Sequence, residues 1–98
     1  MNPEQVAERI GWIREMAARR ERSLDGFRIT HRVYAGFAAK WTETGGYVEG
    51  ILAPPAELAD YLNRFAAIGV DEILISPLTS ELDKFLDRFD AGVRPHLA

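Results

Sequence analysis

The sequence predicts an α/β fold whose elements run in the order α–β–α–β–α. Three observations carry that prediction. Apolar residues recur at helical spacing in Val6, Ile10, Ile13 and Ala17, and again in Leu58, Leu62 and Phe65. Phe27 to Ala38 alternates between two faces, as a half-buried strand does. Beyond the second helix, Glu72-Ile73-Leu74-Ile75-Ser76 has a short, unbroken apolar centre, the pattern of a parallel strand buried on both faces.

Each element has its own local signals. Asn2 before Pro3 starts the first helix, because Asn caps free amides and Pro suits the first helical position. Gln5 completes the pattern of a capping box, and the helix is expected to run to about Arg20–Arg22. Ser23-Leu24-Asp25-Gly26 reads as a turn. In the strand that follows, Ile29, His31, Val33, Ala35 and Phe37 share one face, and Thr30, Arg32 and Tyr34 the other. Lys40 to Gly50 is the least regular stretch; a connection of roughly fifteen residues exceeds the usual two to six and marks a functional or mobile loop. Ala53-Pro54-Pro55 ends it and prepares the second helix, where Asp60 and Arg64 have the spacing of a surface ion pair. Gly69 reads as the C-cap. Thr79 or Ser80 is expected to cap the third helix, which carries Leu82, Phe85, Leu86 and Phe89 and ends at Arg94-Pro95.

Strand, helix and strand make a βαβ unit with parallel strands and a right-handed crossover. Two strands flanked by three helices leave both sheet edges open. The expected partners are therefore a second copy of the chain, as a homo-oligomer, or a chain that supplies further strands.

Composition narrows the function. With 98 residues, 47% apolar and 28% charged, residues 1–98 are expected to form a single globular domain or a piece of one. It has no cysteine, which removes disulfides, thiolate metal sites and a cysteine nucleophile, and suits a cytoplasmic setting. No apolar run is long enough for a membrane span, and the N-terminal residues lack the pattern of a secretory signal. Residues 1–40 hold seven Arg, one Lys and five acids, while residues 41–98 hold four bases and ten acids. The arginines of the basic part are interleaved with Glu15 and Glu21, which describes a solvated helix face rather than a nucleic-acid surface. Only His31 and His96 are histidines, they are far apart, and no metal site is expected. Neither a hydrolase triad nor paired carboxylates on one helix face is present.

The segments Pro55-Ala56-Glu57-Leu58-Ala59-Asp60-Tyr61-Leu62 and Gly69-Val70-Asp71-Glu72-Ile73-Leu74-Ile75 resemble the end of a luciferase-like monooxygenase. That is the bacterial-luciferase superfamily of flavin- or deazaflavin-dependent oxidoreductases. Met16-Ala17-Ala18, Arg22, Asp25 and Arg28-Ile29 resemble the unit before it. Phe85-Leu86-Asp87-Arg88-Phe89 and Val93-Arg94-Pro95 resemble the family's closing helix and terminal proline. Three departures stand out: Leu52-Ala53-Pro54-Pro55 replaces the family's Gly, Thr or Ser and Pro, Glu21-Arg22 stands where Gly-Arg is frequent, and the long Trp41–Gly50 loop is less regular than the resemblance implies.

The resemblance implies a partial (β/α)8 barrel, with the two parallel strands as the last two of eight. A whole barrel needs ~250 residues, so the chain amounts to roughly two-fifths of one and is not expected to be catalytic alone. The implied cofactor is FMN or a deazaflavin, if the isolated chain holds any. Barrel chemistry sits at the C-terminal ends of the strands. There Tyr34 is expected to lie against the flavin ring, Ser76 and Thr79 to donate to a phosphate or flavin carbonyl, and Lys40 to meet an anionic ligand. His31 is a weaker candidate, since a histidine among Ile29, Val33 and Phe37 is more often a core residue. No residue is assigned to catalysis. Gly45-Gly46 lacks the strand–glycine–helix setting of a phosphate loop and is read as a flexible pair. The alternative to the oxidoreductase reading is a non-catalytic homodimer module derived from the same barrel.

Overall fold

A computed structural model describes residues 1–45 and 49–98. Helix α1 (Pro3–Arg19) opens on the expected capping box, with Asn2 Oδ1 accepting from the Gln5 N–H and Gln5 Oε1 from the Asn2 N–H, both at 2.9 Å. It closes in a Schellman turn: the Arg22 N–H donates to the Ala17 carbonyl at 2.8 Å and the Glu21 N–H to Ala18 at 3.2 Å. The residue held in the left-handed region is Glu21, at φ +53°. A side chain with a Cβ is costly there.

The strands and helices that follow are β1 (Thr30–Phe37), β2 (Thr42–Thr44), β3 (Gly50–Ala53), α2 (Pro55–Ala67), β4 (Glu72–Pro77) and α3 (Leu82–Gly92), then a 3-10 turn at Arg94–His96. They form one mixed, open sheet in the order β2-β3-β1-β4. β1 lies between β3 and β4 and is parallel to both; Thr30 faces Glu72 at one end of its pairing with β4 and Ala35 faces Pro77 at the other. β2 runs antiparallel to β3 at the edge.

The α/β class and the parallel pairing of the two expected strands agree with the sequence reading. The number and order of strands do not. The stretch expected to be an irregular connection supplies β2 and β3, and β3 takes the flank of β1 away from β4. Gly50-Ile51-Leu52-Ala53 is only four residues long, bounded by a glycine-rich stretch and two prolines, so pairing with β1 rather than periodicity makes it a strand. β4 also differs from expectation. It is an edge strand rather than a doubly buried one, and Leu74 is 43% exposed.

The core lies on one face of the sheet. Val33 and Ala35 of β1 and Ile51 and Ala53 of β3 point to it, beneath Leu58, Leu62 and Phe65 of α2. Val6 and Ile10 of α1 extend it, and Glu4 of α1 takes the ion pair with Arg64 that spacing alone suggested for Asp60. α2 ends in a second Schellman turn, Val70 N–H to Phe65 at 3.1 Å and Gly69 N–H to Ala66 at 3.2 Å. Here the left-handed position falls on Gly69, at φ +101°. The cap expected for α3 is different from the one found. Glu81 is the N-cap residue and makes no side-chain cap, while Thr79 Oγ1 accepts from the Glu81 N–H at 3.1 Å in the preceding turn. On the far face of the sheet Thr30 and Arg32 of β1, and Glu72 and Leu74 of β4, are exposed.

Candidate functional site

Two features organise the uncovered face near the C-terminal ends of β1 and β4. The first is the pairing of Tyr34 with Ser76, which stand opposite one another in adjacent parallel strands. The second is a floor of small residues beside them. A Cβ at Gly50 would stand 2.5 Å from Leu78 Cδ1 and 3.2 Å from the Tyr34 carbonyl oxygen; one at Gly36 would stand 2.7 Å from Leu52 Cδ2. Leu78 occupies the space these glycines leave, anchored by its N–H to the Ala35 carbonyl at 2.8 Å.

A groove of about 320 Å³ opens toward the other end of the sheet. β3 begins level with Tyr34, so among the described residues no strand pairs with Thr30 to Val33 of β1 on that side. His31, Arg32, Tyr34, Glu43, Glu49 and Tyr61 are among its lining residues. His31 packs against Phe65 with ring centroids 4.7 Å apart and planes tilted by 38°. Burial is the main cause that holds its pKa below the ordinary value; the Met1 ammonium adds to this, and a hydrogen bond with the Met1 backbone opposes it. At neutral pH the imidazole is therefore uncharged and able to accept a proton or a hydrogen bond. Tyr61 titrates above its ordinary range because it is buried, with Arg64 opposing and Glu43, Glu4 and Glu49 reinforcing the shift.

The five residues singled out in the sequence thus divide. Tyr34 and Ser76 are neighbours across β1 and β4, and Tyr34 and His31 line one groove. His31 belongs to the helix-covered face of β1, whereas Tyr34 belongs to the opposite one. Lys40 and Thr79 are exposed in the connections that leave β1 and β4, so they share an end of the sheet with Tyr34 and Ser76. Of the Gly45-Gly46 pair, Gly46 lies outside the described residues. Sequence reasoning passed over Leu78, Gly36 and Gly50. Their signal was weak, because small residues inside or beside strands have no pattern until a second strand brings them together.

Among the described residues no group of three or more His, Cys, Asp or Glu side chains is arranged to hold a metal ion. No helix among them is long and apolar enough to cross a membrane. No family model matches the chain, and no curated protein or solved structure has significant similarity to it.

Proposed function

We propose that this chain is the closing segment of a luciferase-like (β/α)8 barrel, a scaffold piece of a flavin- or deazaflavin-dependent oxidoreductase that does not catalyse alone. One observation carries the reading: β1 and β4 are adjacent and parallel, with Tyr34 opposite Ser76 on the face that the helices leave bare. In a barrel that face is the interior and that end of the strands is the reactive one. On this reading Tyr34 meets the flavin ring, and Ser76, with Thr79 and Lys40 beyond it, meets polar groups of the cofactor. The cofactor carries the redox step, and these side chains bind and orient it. His31, on the covered face, is left a packing role. A cytoplasmic setting and a chain that supplies the remaining strands belong to the same reading.

A second reading, a non-catalytic self-associating module, is favoured by a separate observation. Among the described residues no strand pairs with the outer edge of β4, and Leu74 beside it is 43% exposed. Titration with FMN, and separately with a deazaflavin, followed by flavin fluorescence, decides between the two. The barrel reading expects saturable binding in the micromolar range, weakened at least tenfold by Tyr34→Ala. Absence of saturation up to millimolar cofactor overturns the cofactor site and leaves the association module standing.

A further inference from the structure

The outer edge of β4 has a hydrogen-bonding pattern that its own two-fold image satisfies. The Glu72 N–H donates to the Ile29 carbonyl at 3.2 Å and the Leu78 N–H to Ala35 at 2.8 Å, so the even-numbered residues of β4 turn toward β1. Strand alternation then turns the N–H and C=O groups of Ile73 and Ile75 outward, past the last strand of the sheet. Protein edges of this kind are ordinarily guarded by charge, a bulge or proline. The outward positions here are isoleucines, and the sole proline, Pro77, ends the strand.

We propose that two copies of the chain pair antiparallel along β4, with the two-fold axis at Leu74, into one continuous eight-stranded sheet. This rests on the association reading above and specifies its register. In that register Leu74 faces its own copy on the uncovered side, Ile73 faces Ile75, and Glu72 faces Ser76. The two Ile73–Ile75 pairs are then the hydrogen-bonded ones, and each exchanges two bonds across the axis. The neighbouring registers are worse. A slip of one residue sets covered-face side chains against uncovered-face ones. With the axis at Ile75, Ile73 faces Pro77, which has no N–H to give. With the axis at Ile73, Ile75 faces Asp71, whose backbone N–H is already committed to the Ile29 carbonyl at 2.8 Å. Charge supports the choice as well. The acidic end of each strand, Asp71-Glu72, lies against Ser76-Pro77 of the other copy, and no acid meets an acid. The arrangement is isologous and closes on itself.

The absence of cysteine from the chain makes the test clean. A non-hydrogen-bonded antiparallel pair has Cα atoms about 4.5 Å apart, within the disulfide range. Leu74→Cys, a substitution at an exposed side chain, is expected to form a disulfide-linked dimer rapidly under mild oxidation. Ser76→Cys is the control, because its copy stands roughly 14 Å away along the strand, and it is expected to stay reduced. Leu74→Lys sets like charges across the axis and is expected to raise the dimer dissociation constant at least tenfold, with the circular dichroism spectrum unchanged. A dimer by light scattering in which Ser76→Cys cross-links and Leu74→Cys does not overturns this register and leaves the association reading intact. A folded monomer at micromolar concentration overturns both.

Discussion

Helices α2 and α3 both carry apolar stripes in the sequence, that of α3 the clearest in the chain, yet they end in different places. α2 buries Leu58, Ala59, Tyr61, Leu62 and Phe65; α3 buries Phe85 alone, and its Leu82 and Leu86 are more than half exposed. The cause is position rather than composition. α2 covers β1 and β3 at the middle of the sheet, whereas α3 follows the edge strand β4. Periodicity makes a helix amphipathic, but only a neighbouring layer decides how much of the stripe is covered. The difference marks the side of the molecule where a further layer or a further copy has room to add.

The largest test of that contrast is Phe65→Ala against Leu86→Ala. Phe65 is fully buried, and its truncation is expected to cost about 3–5 kcal/mol in urea unfolding. Leu86→Ala is expected to stay within about 0.5 kcal/mol in the monomer, the usual range for a surface site. If the two cost the same, the outer face of α3 is buried in an assembly, and the contrast belongs to the isolated chain alone.

A second contrast lies at the helix ends. α1 and α2 close in the same Schellman turn, but the left-handed position holds Glu21 in one and Gly69 in the other. Gly69→Ala is expected to destabilise by about 1–2 kcal/mol, with the added Cβ also 3.2 Å from an Arg14 guanidinium nitrogen. Glu21→Gly is expected to stabilise by about 1 kcal/mol. Thermal unfolding of the two variants should move in opposite directions. Loss of stability in Glu21→Gly would show that the Glu21 side chain has a role that its backbone conformation does not account for.

The subtlest test is a slope with pH. His31 packs on Phe65, and burial, reinforced by the Met1 ammonium, holds its pKa below 6.5. The unfolded chain therefore binds the proton first as pH falls. Its contribution to stability is complete above about pH 6.5 and is lost as pH drops through the folded value. Denaturation midpoints should decline between pH 7.5 and pH 5, and His31→Phe should flatten that decline. An unchanged slope in the variant would assign the pH dependence to another group and leave the packing at Phe65 uncharged throughout.

Much of the fold was legible because it is encoded locally. The Asn2-Pro3-Gln5 start, the alternation of β1, the Pro54-Pro55 start of α2 and the Gly69 turn are each decided by neighbours in sequence. What was not legible depends on partners far along the chain. β3 is a strand because Gly50 to Ala53 find Tyr34 to Phe37. Arg64 chooses Glu4 over Asp60 because α1 lies against α2. At the candidate site, the sequence put Tyr34 and Ser76 at the same end of their strands, and the register sets them side by side. The separation of His31 from Ser76 and Thr79 was within reach of the period-two pattern, which already put His31 and Tyr34 on opposite faces. The filling of the glycine floor by Leu78 was not, since it requires β3 and the connection after β4 together.

The position of β1 between β3 and β4 also bears on how fast the chain reaches its native state. The first pair of its ladder with β4, Thr30 and Glu72, joins residues far apart in sequence, as does the bond of 42-residue span from Ile29 just before β1 to Asp71. By contrast, Tyr34 and Gly50, which open the ladder with β3, are close in sequence. Closing the longer loop carries an extra entropic cost of roughly 0.9 kcal/mol. The β1–β3 ladder is thus favoured to assemble first, and β4 to dock afterwards on a strand already straightened. Folding should then be slow for a chain of this size, as non-local parallel pairing usually is. During that interval the isoleucines of β4 would be the last of the sheet to find cover.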